Sequence, residues 1–201
     1  AVADRDEQRA KVRSAMGVLA KCFDDVRTQS GDDCTIISAG GTGTFDLYDP
    51  SDPVLARVNE VQAGSYALMD SHYGALELPF VQALYVVGTV ISVSDSWAEI
   101  DVGLKSLGMD HGNPTIEDAS VWFCSDEHIT FSMKDGRPLP VVGSRVLVRP
   151  AHIDPTIALH EVMYVVDQIK TDETGTGKTG TDKTGTDGTV IDTWPVNLRH
   201  W

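Results

Sequence analysis

His152-Ile-Asp154 follows directly on an apolar run, SRVLVRPA. In an extended segment residues two apart share a face. The spacing therefore predicts an imidazole and a carboxylate side by side. That donor pair suits zinc, manganese or a similar divalent ion. Two protein ligands would leave positions for water or substrate, as metal-assisted chemistry requires. A surface ion pair has the same spacing, and H-x-D by itself does not separate the two readings.

Two glycine-rich turns offer a different chemistry. SAGGTGTFD, residues 38–46, comes straight after an apolar stretch, and QAGSYALMD, residues 62–70, repeats the order of glycine then hydroxyl. Glycine lets backbone N–H groups approach an anion, and hydroxyls add donors. Two such segments in succession would suit a phosphate held from both sides. Two tight turns needing glycine for steric reasons would look the same.

Other polar clusters read more plainly. Asp126-Glu-His128 and Asp110-His-Gly112-Asn-Pro114 are expected to be turns, the first with some capacity for acid–base work. His72 and Tyr73 are rim candidates after the second glycine turn, and Lys105 is read as structural. Gly175-Thr-Gly-Lys-Thr179 resembles the end of a phosphate-binding loop, but Asp172 stands where its first glycine should be. Gly41-Thr-Gly43 lacks the third glycine of a dinucleotide fingerprint, since Asp46 occupies that place.

These residues need elements to position them. Val12, Met16, Leu19, Phe23 and Val26 recur at helical spacing, which predicts a helix over 1–29. CTIISAGG and then Val58–Met69 are expected to be parallel strands of an α/β arrangement. Two such strands cannot close a parallel sheet, so the front of a barrel or of a doubly wound sheet is expected to be missing. From Phe80 the pattern changes to short β-branched and aromatic runs separated by turns such as Lys134-Asp-Gly-Arg137 and Val142-Gly-Ser144. This predicts an all-β module, a sandwich or small barrel, beginning near Leu78-Pro79. YVVD and TVIDTWPV should pair as neighbouring strands across the pentads TGTGK, TGTDK and TGTDG, which are expected to form a mobile loop.

The bulk numbers narrow the function classes. A net charge of −14 argues against a nucleic-acid surface, since phosphates attract basic patches. No apolar run approaches the ~20 residues of a membrane helix. The polar start AVADRDEQRAKVRS is unlike a signal peptide. A cytoplasmic location is expected; an organellar one, with a leader removed before Ala1 or not included, is the alternative. Cys22, Cys34 and Cys124 have no C-x-x-C spacing and read as reduced core thiols in a reducing compartment.

The order of segments carries more than any one of them. ISAGGTGTFD, NEVQAGSYALMD, DVGLKSLGMDHGNP, SDEHITF, VGSRVLVRPAHIDPTIALHEVMYVV and VIDTWPV, taken in that order, resemble the D-threonine aldolase / D-serine dehydratase family. The resemblance runs from about Thr35 to Val196. It implies a fold-type III pyridoxal-phosphate enzyme, similar in plan to alanine racemase. The implied fold is α/β plus all-β, the last βα units of a TIM-type barrel followed by a C-terminal β domain. Residues 1–78 would be the incomplete barrel and 79–201 the β domain, with a Thr/Gly-rich insertion at 171–189.

On this resemblance Gly41, Thr42, Gly64, Ser65 and Tyr66 would hold the pyridoxal phosphate, and His152 and Asp154 a divalent metal. D-serine dehydratases tend to carry cysteine where Asp154 stands. Aspartate therefore points to the aldolase branch and to manganese or magnesium, with zinc the softer alternative. The implied substrate is a 3-hydroxy-D-amino acid, cleaved to glycine and an aldehyde. The dehydratase alternative would lose the hydroxyl and ammonia. The family's Schiff-base lysine lies in an early barrel segment with no counterpart here, so no catalytic residue is assigned. The 201 residues by themselves are expected to be inactive, to need the missing barrel segment, and to belong to a homodimer. A non-catalytic metal-binding or interaction fragment is the competing expectation.

Overall fold

The computed structural model describes residues 4–30, 34–167 and 189–197. Within it the chain falls into two units. The first runs to Ala67 and includes Tyr73–Val81; the second takes Leu68–His72 and everything from Gln82.

In the first unit, helix α1 spans Arg5–Ser30. Its anticipated stripe is shallow, for Val12, Met16, Leu19 and Phe23 are half-buried and Val26 is exposed. Polar contacts do much of the holding. Buried Gln8 donates from Nε2 to the Gly43 carbonyl at 3.0 Å. Arg13 pairs with Asp52 at 2.6 Å, and Arg57 reaches back to Asp24 with two hydrogen bonds. The two segments expected as strands form no ladder. They run extended and meet at one parallel bridge, Ser38 to Glu60, beside which the Ala39 N–H donates to the Glu60 carbonyl. A parallel pair is stable only inside a larger sheet, which accounts for this economy of pairing. Short 3-10 turns at Phe45–Leu47, Leu55–Arg57 and Ser65–Ala67 fold the rest, seating Leu47 and Leu55 at 1% exposure.

The second unit opens with one helical turn, α2 (Ser71–Gly74), whose last two residues pass into the first unit. Its body is the antiparallel sheet β1 (Val86–Val93), β2 (Ala98–Ile100), β3 (Thr115–Ile116), β4 (Ala119–Cys124), β5 (Ile129–Met133) and β6 (Arg145–Arg149), in the order β3-β6-β1-β2-β5-β4. The edge strands β3 and β4 are joined by Glu117 and Asp118, so the sheet must curl until its edges meet as a nearly closed barrel. Bulges at Val90–Ser92 and Val121–Phe123 provide the bend. Inward residues fill the interior: Val90, Ala98, Ile100, Ile129, Phe131 and Val148 are all nearly or wholly buried.

The turn at Lys134–Arg137 is as read, with Asp135 and Gly136 both at positive φ. Residues after β6 depart from expectation. Instead of continuing extended, Ile153–Ala158 form a short helix, α3. Pro155 fits there, because the first turn of a helix needs no N–H from it. Beyond α3, β7 (Val162–Val166) pairs with β8 (Val190–Pro195), with Tyr164 opposite Thr193. That is the pairing anticipated across the pentads, which themselves lie outside the described residues.

Candidate metal centre and phosphate turns

In the first unit the two glycine turns come together. The Tyr66 N–H donates to Thr42 Oγ1 at 3.0 Å, and Thr42 is 2% exposed. Phe80 packs on both turns, its ring centroid 4.9 Å from Phe45 and 5.3 Å from Tyr66. Gly40 has φ +86°, and a Cβ there would fall 2.2 Å from the Tyr48 hydroxyl. Only glycine satisfies both conditions. The Gly41 N–H is already used, donating to Thr44 Oγ1 at 3.2 Å. Ser38 Oγ, just ahead of this turn, is buried without a hydrogen-bond partner. A buried hydroxyl left unsatisfied is costly, and one beside paired glycine turns fits a site that takes an anion. Gly41, Thr42, Gly64, Ser65 and Tyr66 therefore stand on two adjoining turns. Tyr73 lies instead against Gly43.

In the second unit, strand β6 delivers the chain to His152, which caps α3 in extended conformation (φ −139°, ψ 122°). Asp154 is the second residue of the helix. The pair therefore meets across a strand-to-helix turn rather than by strand alternation, with His152 Nε2 3.2 Å from Asp154 Oδ2. Buried groups hold this turn. Asp70, wholly buried, accepts the Ile153 N–H at 3.3 Å, and the Ser71 N–H donates to the Pro150 carbonyl. Thr156 Oγ1 donates to the His152 carbonyl at 2.7 Å and accepts the Gly108 N–H at 2.9 Å. Gly108 also bridges His152, and a Cβ on it would lie 2.3 Å from the Pro155 ring.

That bridge brings in a segment read from sequence only as a turn. It is one, closed by the Gly112 N–H on the Met109 carbonyl, with Gly112 at φ +101°. It also places Asp110 Oδ2 2.6 Å from His152 Nδ1. This hydrogen bond holds the Asp110 carboxyl below the usual aspartate range. His111 stacks on His152 with centroids 4.0 Å apart and planes 12° from parallel, and His72 lies 4.3 Å beyond. Burial, then the neighbouring His111, lowers the His72 pKa. Neither Asp110, His111 nor Asp70 could be attached to His152 from sequence, because the contacts join segments some 40 to 80 residues apart. The one available signal was an Asp-His dipeptide at a glycine turn.

Donor geometry separates the possible ligand sets. One donor atom from each of Asp110, His111 and His152 falls within a 4.8 Å cluster. Yet the near-parallel imidazoles, with centroids 4.0 Å apart, hold their lone pairs in two separate planes, so both cannot point at one ion. At 2.6 Å, the Asp110–His152 contact has the length of a charge-assisted hydrogen bond. The 3.2 Å separation of His152 Nε2 and Asp154 Oδ2 is different. Bonds of about 2.1 Å at right angles set neighbouring donors about 3 Å apart. His152 and Asp154 thus fit a hard divalent ion, with Asp154 exposed enough to leave the remaining positions open.

The remaining polar candidates serve the surface. Lys105 pairs with Glu127 at 2.5 Å, and His128 Nδ1 lies 3.7 Å from Glu99. The thiols are not the core groups expected: Cys22 and Cys34 are exposed, and Cys124 is half-buried, where burial raises its pKa. Among the described residues no helix is long and apolar enough to cross a membrane.

Residues 83–166, which include Asp110, His152 and Asp154, match the family model described as Putative serine dehydratase domain. A D-threonine aldolase from Arthrobacter sp is 34% identical over 168 residues, covering 80% of this chain and 43% of that protein. The chain belongs to the D-threonine aldolase / D-serine dehydratase family. A second relative, 3-hydroxy-D-aspartate aldolase of Paracoccus denitrificans (strain Pd 1222), is 30% identical over 169 residues, or 78% of this chain and 42% of that protein. Among solved structures, D-threonine aldolase from Filomicrobium marinum superposes with a TM-score of 0.79 at 30% identity, covering 98% of this chain and 50% of its own. This family member thus spans half or less of the length of the relatives it matches.

Proposed function

We propose that this chain is part of a pyridoxal-phosphate- and metal-dependent lyase of the D-threonine aldolase type, acting on 3-hydroxy-D-amino acids. The observation that carries the reading is the His152–Asp154 donor pair, 3.2 Å apart, on a domain whose relatives are aldolases. Pyridoxal phosphate would supply an electron sink for the bond-breaking step, and a divalent ion a Lewis acid at the substrate's β-hydroxyl.

This chain's own residues would bind and orient. Of Gly41, Thr42, Gly64, Ser65 and Tyr66, the Gly64 and Ser65 N–H groups and the Thr42 and Ser65 hydroxyls would reach the phosphate, while Gly41 and Tyr66, whose N–H groups bond Thr44 and Thr42, would shape the two turns around it. The Thr42–Tyr66 hydrogen bond keeps the two turns in register for that task. His152 and Asp154 would hold manganese or magnesium. Their unfilled side faces solvent, where a substrate hydroxyl has access. No lysine here is given the Schiff-base role; Lys105 is occupied by Glu127 at the surface. A homodimer containing the complementary barrel segment completes the proposal.

The test uses the longest reading frame that contains this chain. Loaded with pyridoxal phosphate and manganese, it should release glycine from D-threonine, and withdrawing either component should abolish release. No glycine from the fully loaded protein would rule the reading out. Replacing Asp154 by cysteine should move metal preference toward zinc, since thiolate is the softer ligand. An unchanged preference would remove Asp154 from the ligand set.

A further inference from the structure

We propose that Asp110 is a positioning residue of the metal centre, accepting the Nδ1–H of His152 and so reserving the Nε2 lone pair for the ion shared with Asp154. The inference rests on the reading of His152 and Asp154 as ligands, and goes beyond it by assigning a third residue that never touches the metal.

A neutral imidazole carries its proton on one nitrogen only. If the proton sits on Nε2, that nitrogen cannot ligate. An ionised carboxylate can only accept a hydrogen bond, so Asp110 Oδ2 at 2.6 Å from Nδ1 requires the proton there. On the opposite edge of the same ring, Nε2 faces Asp154 Oδ2 at 3.2 Å. The ring thus has two carboxylates on its two nitrogens, at two different lengths. The shorter contact is a hydrogen bond, and the longer one has the spacing of neighbouring ligands. Metal-bound histidines generally use their second nitrogen in this way, which fixes the tautomer and raises the ligand's basicity.

The surroundings show that Asp110 is held to this task. Its segment is tied to α3 by the Gly108 N–H on Thr156 Oγ1, and the same hydroxyl donates to the His152 carbonyl. One threonine side chain thus links the backbones of both partners. Gly108 lies directly against Pro155, which leaves this approach no slack. The Met109–Gly112 turn then aims Asp110 at the ring, and His111 stacks flat on His152 to limit its rotation. Asp110 itself is half exposed, so replacing it opens no hole in a core.

The experiment titrates the chain with manganese alone, by calorimetry, and reads the His152 tautomer of the metal-free chain from imidazole nitrogen shifts. Asp110→Ala is expected to weaken manganese binding 10- to 100-fold and to release the His152 proton from Nδ1. Asp110→Asn, whose amide oxygen can still accept, should keep the tautomer and recover most of the affinity. The melting curves of both variants should overlay the parent's. Asp110→Ala binding like the parent while Asp154→Ala abolishes binding would overturn the inference and leave the ligand pair standing. Unchanged binding in both His152→Ala and Asp154→Ala would instead overturn the ligand pair, and the inference with it. If Asp110→Asn loses binding as completely as His152→Ala, Asp110 is a ligand, and the positioning role is wrong.

Discussion

The two units are built on different principles. In the second, apolar side chains from a curled antiparallel sheet fill one interior, with Ala98, Ile100, Ile129 and Val148 at 0% exposure. In the first, a long helix and three short turns are tied by charged side chains, such as Arg13–Asp52 and Arg57–Asp24, around a few buried residues. The difference teaches where each kind of site can stand. The barrel unit can hold ligands to tenths of an ångström, because a close-packed interior transmits little slack. The helical unit offers two glycine turns joined by the Thr42–Tyr66 hydrogen bond and by Phe80, in a unit whose longer-range ties are exposed ion pairs. Exposed ion pairs contribute ~0–1 kcal/mol each, far less than a filled core position.

The comparison can be broken at its strongest point. Phe131→Ala empties the barrel interior and should cost about 3–5 kcal/mol in a urea unfolding curve. Arg13→Ala in the first unit should cost no more than about 1 kcal/mol in the same assay. Similar losses would show that the units are not held differently. A smaller effect is expected from Gly108→Ala. Its new methyl would collide with the Pro155 ring, a rigid neighbour, so backbone must move. Overpacking of this kind costs about 1–3 kcal/mol, and the displaced turn should also lower manganese affinity. A variant that binds manganese normally would show that the 108–112 segment is irrelevant to the centre.

Acid should sharpen the contrast further. Hydrogen bonds from Arg57, Ser51 and Arg13 lower the carboxyl pKa of Asp24, Asp49 and Asp52, respectively. Their folded pKa values lie below the unfolded one. The stabilisation is therefore complete above the ordinary aspartate range, about pH 4, and fades as pH falls through the lowered values. Between pH 5 and pH 2, hydrogen-exchange protection relative to the intrinsic rate at each pH should be lost in α1 before it is lost in β1 and β2. Protection lost first in the strands would contradict this. The smallest effect concerns thiols. Burial raises the Cys124 pKa while Cys22 and Cys34 are exposed, so iodoacetamide at pH 8 should label Cys124 last.

How far the sequence could be read follows from the range of each interaction. Alternation and turn residues exposed the barrel strands, because period two is a local signal. The β7–β8 pairing was legible across the long pentad connection, since two β-branched runs flanked it. Helix α3 was not, because Ile153–Ala158 is too short to show a period, and an apolar run led into it. The parallel strands of the first unit were anticipated in full but appear as a single bridge. Their apolar composition was visible, whereas the number of neighbours each has was not. At the candidate centre, spacing marked His152 and Asp154 only as a possible pair, and the family resemblance proposed them as ligands. Asp110 was set down as a turn residue, because its partner lies 42 residues away and only the folded chain joins them.

The β7–β8 ribbon has a consequence for how this chain can change. Its register is set by five facing pairs, from Val162–Pro195 to Val166–Val190. Replication slippage that adds or deletes a whole TGTxK unit would leave Trp194 opposite Met163, at a free-energy cost of only ~0.6 kcal/mol per doubling of length. For the same reason this is the natural place to insert a reporter or an affinity epitope. A gene can stutter where strand pairing, and not the length between the strands, sets the register.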